Sequence, residues 1–367
     1  MRKNYKSNFS NLAGLTPPID RSVSFEHDFL DATQRYVRCS HPVAVLLEQS
    51  LATLEGAGAC RVTSSGMAAI TAVIMAMLRP GETIITHTSA YSGTLRLITK
   101  LVQQWGIQHT AVDLSKPGAL DQVKNSQSTL VWIESPCNPT LEVLPMRQLA
   151  ADAKRLGMIT VSDNTLCTPL GCNPLRVGVD IVVHSATKYL SGHGDVLAGA
   201  ICSSSEIMAR IEPWRVLLGG TLSADAAWMV LRGLSTLNMR YQTHRSNALE
   251  LANFLRQHPR VSKVNYPGHA DDVYFNAGCD EHPNGVGGLL SFQYLGDVHA
   301  FLDRLQHCSI ALSFGEPGTI IAHPASMLTC ADGVETLMPV ASSLIRVAAG
   351  LEEICLVIND LTRAMEG

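Results

Sequence analysis

Apolar positions in the first two-thirds of the chain fall into short runs separated by longer stretches at helical spacing. "PVAVLLEQSLATLEGA" has helical spacing and stops near Gly56. "ACRVTSSG" reads as a strand and turn, "MAAITAVIMAML" as a helix, "ETIITH" as a strand. "TLVWIES" is a strand followed by the helical "MRQLAADAKRLG", and "MITVSDN", "DIVVHSAT" and "LAGAICSS" are further strands. Apolar strands alternating with helices predict an α/β fold with a mostly parallel sheet covered on both faces. After about residue 222 the pattern changes. "SADAAWMVLRGLSTLNMRYQTHRSNALELANFLRQH" reads as one long helical stretch, followed by short strands ("LLSFQYL", "LIRVAAG") and helices ("DVHAFLDRLQ", "EEICLVINDLTRAM"). That mixture predicts a smaller C-terminal α+β domain. Residues 1–45 lack strong periodicity and carry Pro17, Pro18 and Pro42, as an arm lying on another surface would. The expected division is an arm over 1–45, a large α/β domain over 46–232 and a C-terminal domain over 233–367.

Composition narrows the class. The chain has 367 residues, 46% hydrophobic and 16% charged, enough for a large core and more than one domain. A net charge of −4 gives no electrostatic case for nucleic acid or an anionic membrane. The basic start "MRKNYKSNFSNLAGLTPPID" has no apolar run behind it, so no signal peptide is expected. The stretch "AAITAVIMAML" is too short to span a bilayer. Ten cysteines are scattered singly, without a C-x-x-C pair, which predicts reduced thiols in the cytoplasm. Cys167 and Cys172 have no further cysteine or paired histidines beside them, so no metal is expected.

Three predicted strand ends carry chemistry, and in open α/β sheets ligands sit at the carboxyl ends of strands. "RVTSSGMAAI" ends in a hydroxyl-rich turn that opens a helix; the N–H groups of Gly66 and Met67 would face an anion there. "MITVSDNTL" ends in Asp163, which alone would read as a turn or cap residue. "DIVVHSATKYL" ends in Lys188, with Ser185 and Thr187 beside it, and alone would read as a solvated lysine. Jointly the three point to pyridoxal 5′-phosphate (PLP). Its aldehyde needs a lysine amine, its ring nitrogen a carboxylate, and its phosphate helix-terminal amides and hydroxyls.

With these segments on the page, the chain resembles the cysteine/methionine metabolism family of PLP-dependent enzymes. That group includes cystathionine lyases and synthases, methionine γ-lyase and O-acylhomoserine sulfhydrylases. "SSGMAAI", "ESPCNPTLEV", "VSDNT", "VVHSATKYLSGHGDVLAGA", "LRGLSTLNMR", "YPG", "HPASMLT" and "LIRVAAGLE" look like family segments in family order. The resemblance implies the fold type I architecture of PLP-dependent transferases. It implies that Lys188 binds the cofactor aldehyde and shuttles protons, and that Asp163 pairs with the ring nitrogen. Gly66, Met67, Ser185 and Thr187 would hold the phosphate. Tyr91, in "AYSGTLRL", would stack on the ring and exchange a proton. Arg346 would bind the substrate α-carboxylate, its planar fork matching a carboxylate, with Ser313 near that carboxylate; Asn138, in the family's N-P turn, would lie near the ring as a further substrate-binding residue. "QRYVRCSHPV" resembles the arm segment whose tyrosine and arginine, here Tyr36 and Arg38, reach a neighbouring subunit's phosphate site. That implies a dimer or tetramer with shared active sites. His41 and Val43 depart from the family's Asn and Thr in this segment.

The chemistry so implied is β- or γ-elimination from a sulfur amino acid by a carbon–sulfur lyase of the cystathionine lyase type, in trans-sulfuration. The alternative is γ-replacement, as in a cystathionine γ-synthase or O-acylhomoserine sulfhydrylase. Two specialist marks are missing. Leu312 stands where γ-route cystathionine enzymes often carry Glu, and Gly93 where methionine γ-lyases characteristically carry Cys. An aminotransferase or decarboxylase of the same fold would not explain a match along nearly the whole chain. A non-catalytic descendant would not need to keep Lys188, Asp163, Tyr91 and Arg346 together.

Overall fold

The strands expected from the apolar runs assemble into two sheets. The computed structural model describes residues 16–25, 36–327 and 340–366. Most of the expected arm therefore lies outside the described residues, as do Cys330 and the end of "HPASMLT". The first sheet contains β1 (Ala59–Thr63), β2 (Thr83–His87), β3 (Gln108–Val112), β4 (Ser128–Glu134), β5 (Ile159–Asp163), β6 (Ile181–Ser185) and β7 (Gly199–Ser203). Their order is β1-β7-β6-β5-β4-β2-β3. The pairs from β6 through to β3 are all parallel, whereas β7 opposes both of its neighbours.

Both faces of this sheet are buried, which is why its strands read as apolar runs rather than alternations. Trp132 of β4 faces the helix Gly66–Met77, where Ile70, Val73 and Ile74 pack. Val131 and Ile133 of the same strand face the other side, among Leu47, Leu51 and Leu149. Each such side chain contributes about 1.5–3 kcal/mol on burial. The first helix, Pro42–Glu55, ends at Gly56 with φ 69°, a left-handed C-cap that glycine adopts freely.

The second sheet joins β8 (Val261–Asn265), β9 (Leu289–Tyr294), β10 (Ser309–Ile310), β11 (Ile320–Ala322) and β12 (Leu344–Ala348) in the order β10-β11-β12-β9-β8. It is antiparallel apart from the β10–β11 pair. Its own core, with Phe292, Phe301, Ile345, Val357 and Leu361, packs under the helices Leu237–Gln257 and Ile354–Glu366.

One element differs from expectation. The long helical stretch after residue 222 is two helices, Ala224–Leu234 and Leu237–Gln257. In an unbroken helix the Gly233 carbonyl would accept from Leu237. Here it accepts instead from Thr236 N at 3.2 Å and from the Arg240 guanidinium at 2.7 Å. Gly233 also lies against the Ser191 carbonyl so closely that no Cβ would fit. The edge strand β3, "QHTAV", is half exposed and has no apolar run to announce it.

Candidate active site

Strand ends build the site. A cavity of about 380 Å³ opens at the carboxyl ends of β1, β4, β5 and β6 and is closed from the other side by Ser313 and Arg346. Gly66, Met67, Tyr91, Asn138, Asp163, Ser185, Thr187 and Lys188 also line it. Tyr36 and Arg38 do not reach this chain's cavity. Both are exposed, with the Arg38 guanidinium 5.5 Å above the Tyr36 ring. The Arg215 guanidinium donates to the carbonyls of Arg38 and Cys39, at 3.2 and 2.7 Å.

At one end of the cavity, Ser65 caps the helix Gly66–Met77, its hydroxyl accepting from Ala68 N at 3.0 Å. The N–H groups of Gly66 and Met67, in the first turn, have no acceptor within the helix. Gly66 is required by space: a Cβ there would sit 2.9 Å from Ser185 Cβ. The Thr187 hydroxyl is engaged with the main chain of Ala198, donating to its carbonyl at 3.1 Å and accepting from its N–H at 3.0 Å.

Asp163 closes β5. Its Oδ1 accepts from the Thr165 hydroxyl at 2.5 Å and Thr165 N at 3.1 Å, and the same hydroxyl accepts from Ser185 N at 2.8 Å. Burial raises the Asp163 carboxyl above its usual range. A buried carboxylate suits a cationic partner such as a protonated ring nitrogen.

Lys188 Nζ donates to Ser313 Oγ at 2.8 Å and lies 5.4 Å from the centre of the Phe314 ring. Burial and the Arg346 charge lower its pKa to about 8, against the opposing pull of Glu316. Arg346, within β12, is 6% exposed. Its Nη2 donates to the Ser313 carbonyl at 2.9 Å and its Nη1 to Asn138 Oδ1 at 3.3 Å, while its buried Nε has no partner. Burial lowers its pKa to about 10, so it stays a cation at neutral pH. Burial, then Glu134 and Asp163, raise the Tyr91 phenol. Its ring lies against Gly93, so a Cβ at that position would have to displace it.

These residues fit PLP: a neutral-capable amine, a carboxylate with one oxygen uncommitted, and a helix terminus too close to Ser185 for any side chain at 66. Two contributors were not singled out from sequence. Glu134 ends β4 as Asp163 ends β5, in register with it, and the rule that picked out Asp163 applies equally to "TLVWIES". Thr165, two residues after Asp163, carried no such signal. The departure at His41 is structural: its Nδ1 caps the first helix, accepting from Ala44 N at 3.3 Å.

His87, Cys137 and Glu142 bring potential metal-ligand atoms within 4.8 Å of one another. His87 Nδ1 accepts from Leu114 N at 3.1 Å, which leaves the ring proton on Nε2, facing Glu142 at 3.3 Å. That proton occupies the lone pair a metal would need.

Residues 3–366 match the family described as Cys/Met metabolism PLP-dependent enzyme. The chain is 33% identical to L-methionine gamma-lyase of Pseudomonas putida, over 96% of this chain and 92% of that protein. It is 34% identical to cystathionine gamma-lyase of Bacillus subtilis, over 90% and 88%. The crystal structure of cystathionine gamma synthase from Xanthomonas oryzae pv. oryzae in complex with cystathionine superposes with a TM-score of 0.92. That pair is 34% identical, covering 97% of this chain and 94% of the other.

Proposed function

The chain belongs to the Cys/Met metabolism family of PLP-dependent enzymes, and on that premise we propose that it is a carbon–sulfur lyase releasing a thiol from a sulfur amino acid by β- or γ-elimination. The observation carrying this reading is one cavity lined by Lys188, Asp163 and Arg346 together. When bound, PLP supplies an electrophilic aldehyde and an electron-accepting ring.

Arg346 binds the substrate carboxylate through its fork, and Asn138 and Ser313 hold that fork in place. Lys188 supplies the amine that anchors the cofactor and then, at Nζ, takes the proton from substrate Cα. A lysine with its pKa near 8 can serve as that base close to neutral pH. Ser313 Oγ holds Nζ on the cavity side. Asp163 keeps a proton on the ring nitrogen. Gly66, Met67, Ser185 and Thr187 would hold the phosphate. Tyr91, which lines the same cavity, would cover the ring and exchange a proton at the leaving group.

Tyr36 and Arg38 complete the phosphate site of a neighbouring subunit, so the working unit is at least a dimer. Residues 46–232 form the cofactor-binding domain and 233–367 the C-terminal domain. The described cysteines are free, as suits the reducing cytoplasm. Among the described residues no helix is long and apolar enough to cross a membrane. The second reading is γ-replacement, supported by the likeness to the Xanthomonas cystathionine gamma synthase.

A product screen tests both. Cystathionine, cysteine, methionine and O-acylhomoserines are offered with and without added thiol, and keto acid, ammonia and thiol are measured. Keto acid and thiol from a sulfur amino acid alone are expected. Turnover only when a thiol is added to an O-acylhomoserine would favour replacement, and no product from any of them would overturn both readings.

A further inference from the structure

We propose that Glu134 is a positioning residue that, through its two carboxylate oxygens, sets the place of the ring-covering Tyr91 and of Asn138 beside the substrate-carboxylate fork. The proposal rests on the reading above and deepens it. Glu134 is the last residue of β4, 7% exposed, and lines the same cavity as Asp163. Its Oε2 accepts from Tyr91 N at 2.6 Å, and its Oε1 accepts from Asn138 N at 3.1 Å.

The two loops held in this way lie on opposite sides of the strand end in sequence. Both are gripped by the main chain, so the Tyr91 ring and the Asn138 amide remain available to the cavity. Asn138 uses that freedom to accept from Arg346 Nη1. One carboxylate therefore connects the group covering the cofactor ring to the group steadying the substrate fork.

A simple turn would not need a buried acid here. Burial and Asp163, which stands beside it in register, raise the Glu134 carboxyl well above its usual range, against the pull of the Asn138 and Tyr91 N–H groups. An unpaired carboxylate next to a second one is costly to bury. What that cost secures is a pair of bonds to two separate N–H groups. A glutamine cannot reproduce the pair: one of its two terminal atoms is an NH2 group, which would face an N–H.

The test uses the cofactor-loaded protein with Glu134→Gln, Tyr91→Phe and the double variant. Lys188, Asp163 and Ser185 are untouched in Glu134→Gln, so cofactor content and visible absorbance should remain as in the wild type. Visible circular dichroism, which reads the asymmetric packing around the cofactor, should fall by about half or more, with a kcat/KM loss of roughly 10- to 100-fold. The loss caused by Tyr91→Phe should shrink several-fold in the Glu134→Gln background, because both changes act through one ring. An unchanged dichroism signal together with additive losses would overturn the proposal. Should Glu134→Gln not fold, Glu134→Asp is measured in the same way: its shorter side chain spans at most one loop and should give the same losses. If neither variant folds, Glu134 serves the fold alone and the proposal fails. A wild-type protein that binds cofactor but releases no product overturns the lyase reading instead, and the dichroism comparison still judges Glu134.

Discussion

Lys188 Nζ, at the end of the large sheet's β6 segment, donates to Ser313 Oγ in the loop between β10 and β11 of the small sheet, at 2.8 Å. The amine is thus aimed by one sheet and held by the other. Burial and Arg346 bring its pKa down to about 8. Below that value Nζ carries a proton and cannot attack an aldehyde; above it the amine is free. Mixing apo-protein with PLP should therefore give an attachment rate that climbs about tenfold per pH unit below the pKa and levels off above it. A rate that stays flat from about pH 6 to about pH 9 would contradict the assignment of Lys188 as the attachment point.

Arg346 acts on two fronts. Its fork is the proposed carboxylate site, and its charge is one of the causes depressing the Lys188 pKa. Arg346→Ala should raise KM by roughly 100-fold while leaving cofactor affinity within a few-fold, as loss of a charged bidentate contact would. The same variant should move the midpoint of the attachment-rate profile to higher pH, because a nearby positive charge has gone. Stopped-flow absorbance and steady-state kinetics read the two effects separately. An unchanged KM would show that the carboxylate binds elsewhere.

Gly66→Ala tests the phosphate end. The new Cβ would meet Ser185 Cβ at 2.9 Å and Ser185 Cα at 3.1 Å, a closeness that forces the helix terminus away from β6. Cofactor dissociation should become at least about tenfold easier, or about 1.4 kcal/mol. Gly318→Ala, where a Cβ meets open space, should bind cofactor as the wild type does. Equilibrium dialysis with PLP separates the two outcomes.

Much of this was legible in the sequence for a physical reason. Strands buried on both faces leave long apolar signatures, and a polar residue at the end of one stands out. Asp163 and Lys188 follow such runs, Arg346 was placed by the family resemblance, and the cavity collects all three. What sequence hides is the choice of hydrogen-bond partner. Nothing in "SATK" tells that the Thr187 hydroxyl bonds Ala198, eleven residues on, nor in "DNT" that Thr165 bridges Asp163 to Ser185. The break between Leu234 and Leu237 was equally hidden. It depends on Arg240 capturing a carbonyl and on Gly233 approaching Ser191, both tertiary events laid over a continuous helical pattern.

The proposed sharing of sites between subunits makes a prediction of its own. Arg38→Ala would damage the neighbour's site, whereas Lys188→Ala would damage the subunit's own. Each homogeneous variant should lose activity. Unfolding and refolding an equal mixture should restore about a quarter of wild-type turnover, since half of the dimers are mixed and each has one intact site. No recovery in a mixture shown to have exchanged subunits would place Arg38 outside the active site.

Beneath the site, Glu55 is wholly buried and serves three donors. Its Oε1 takes His184 at 2.6 Å and Asn164 Nδ2 at 2.9 Å, and its Oε2 takes Asn173 Nδ2 at 3.3 Å. This carboxylate joins the end of the first helix to β6, which leads to Lys188, and to the segment that follows Asp163. Glu55→Ala would leave the buried His184 imidazole without its acceptor, and the Asn164 and Asn173 amides with only the Cys172 and Leu54 carbonyls. Losing one partner of a buried polar cluster costs about 3–5 kcal/mol, more than the packing lost with the side chain's methylenes. Glu55→Gln keeps the shape and one acceptor oxygen, so it should cost distinctly less. Urea unfolding followed by intrinsic fluorescence is expected to rank the midpoints as wild type, then Glu55→Gln, then Glu55→Ala. If Glu55→Ala unfolded at the wild-type midpoint, the cluster would contribute nothing to holding β6 in place.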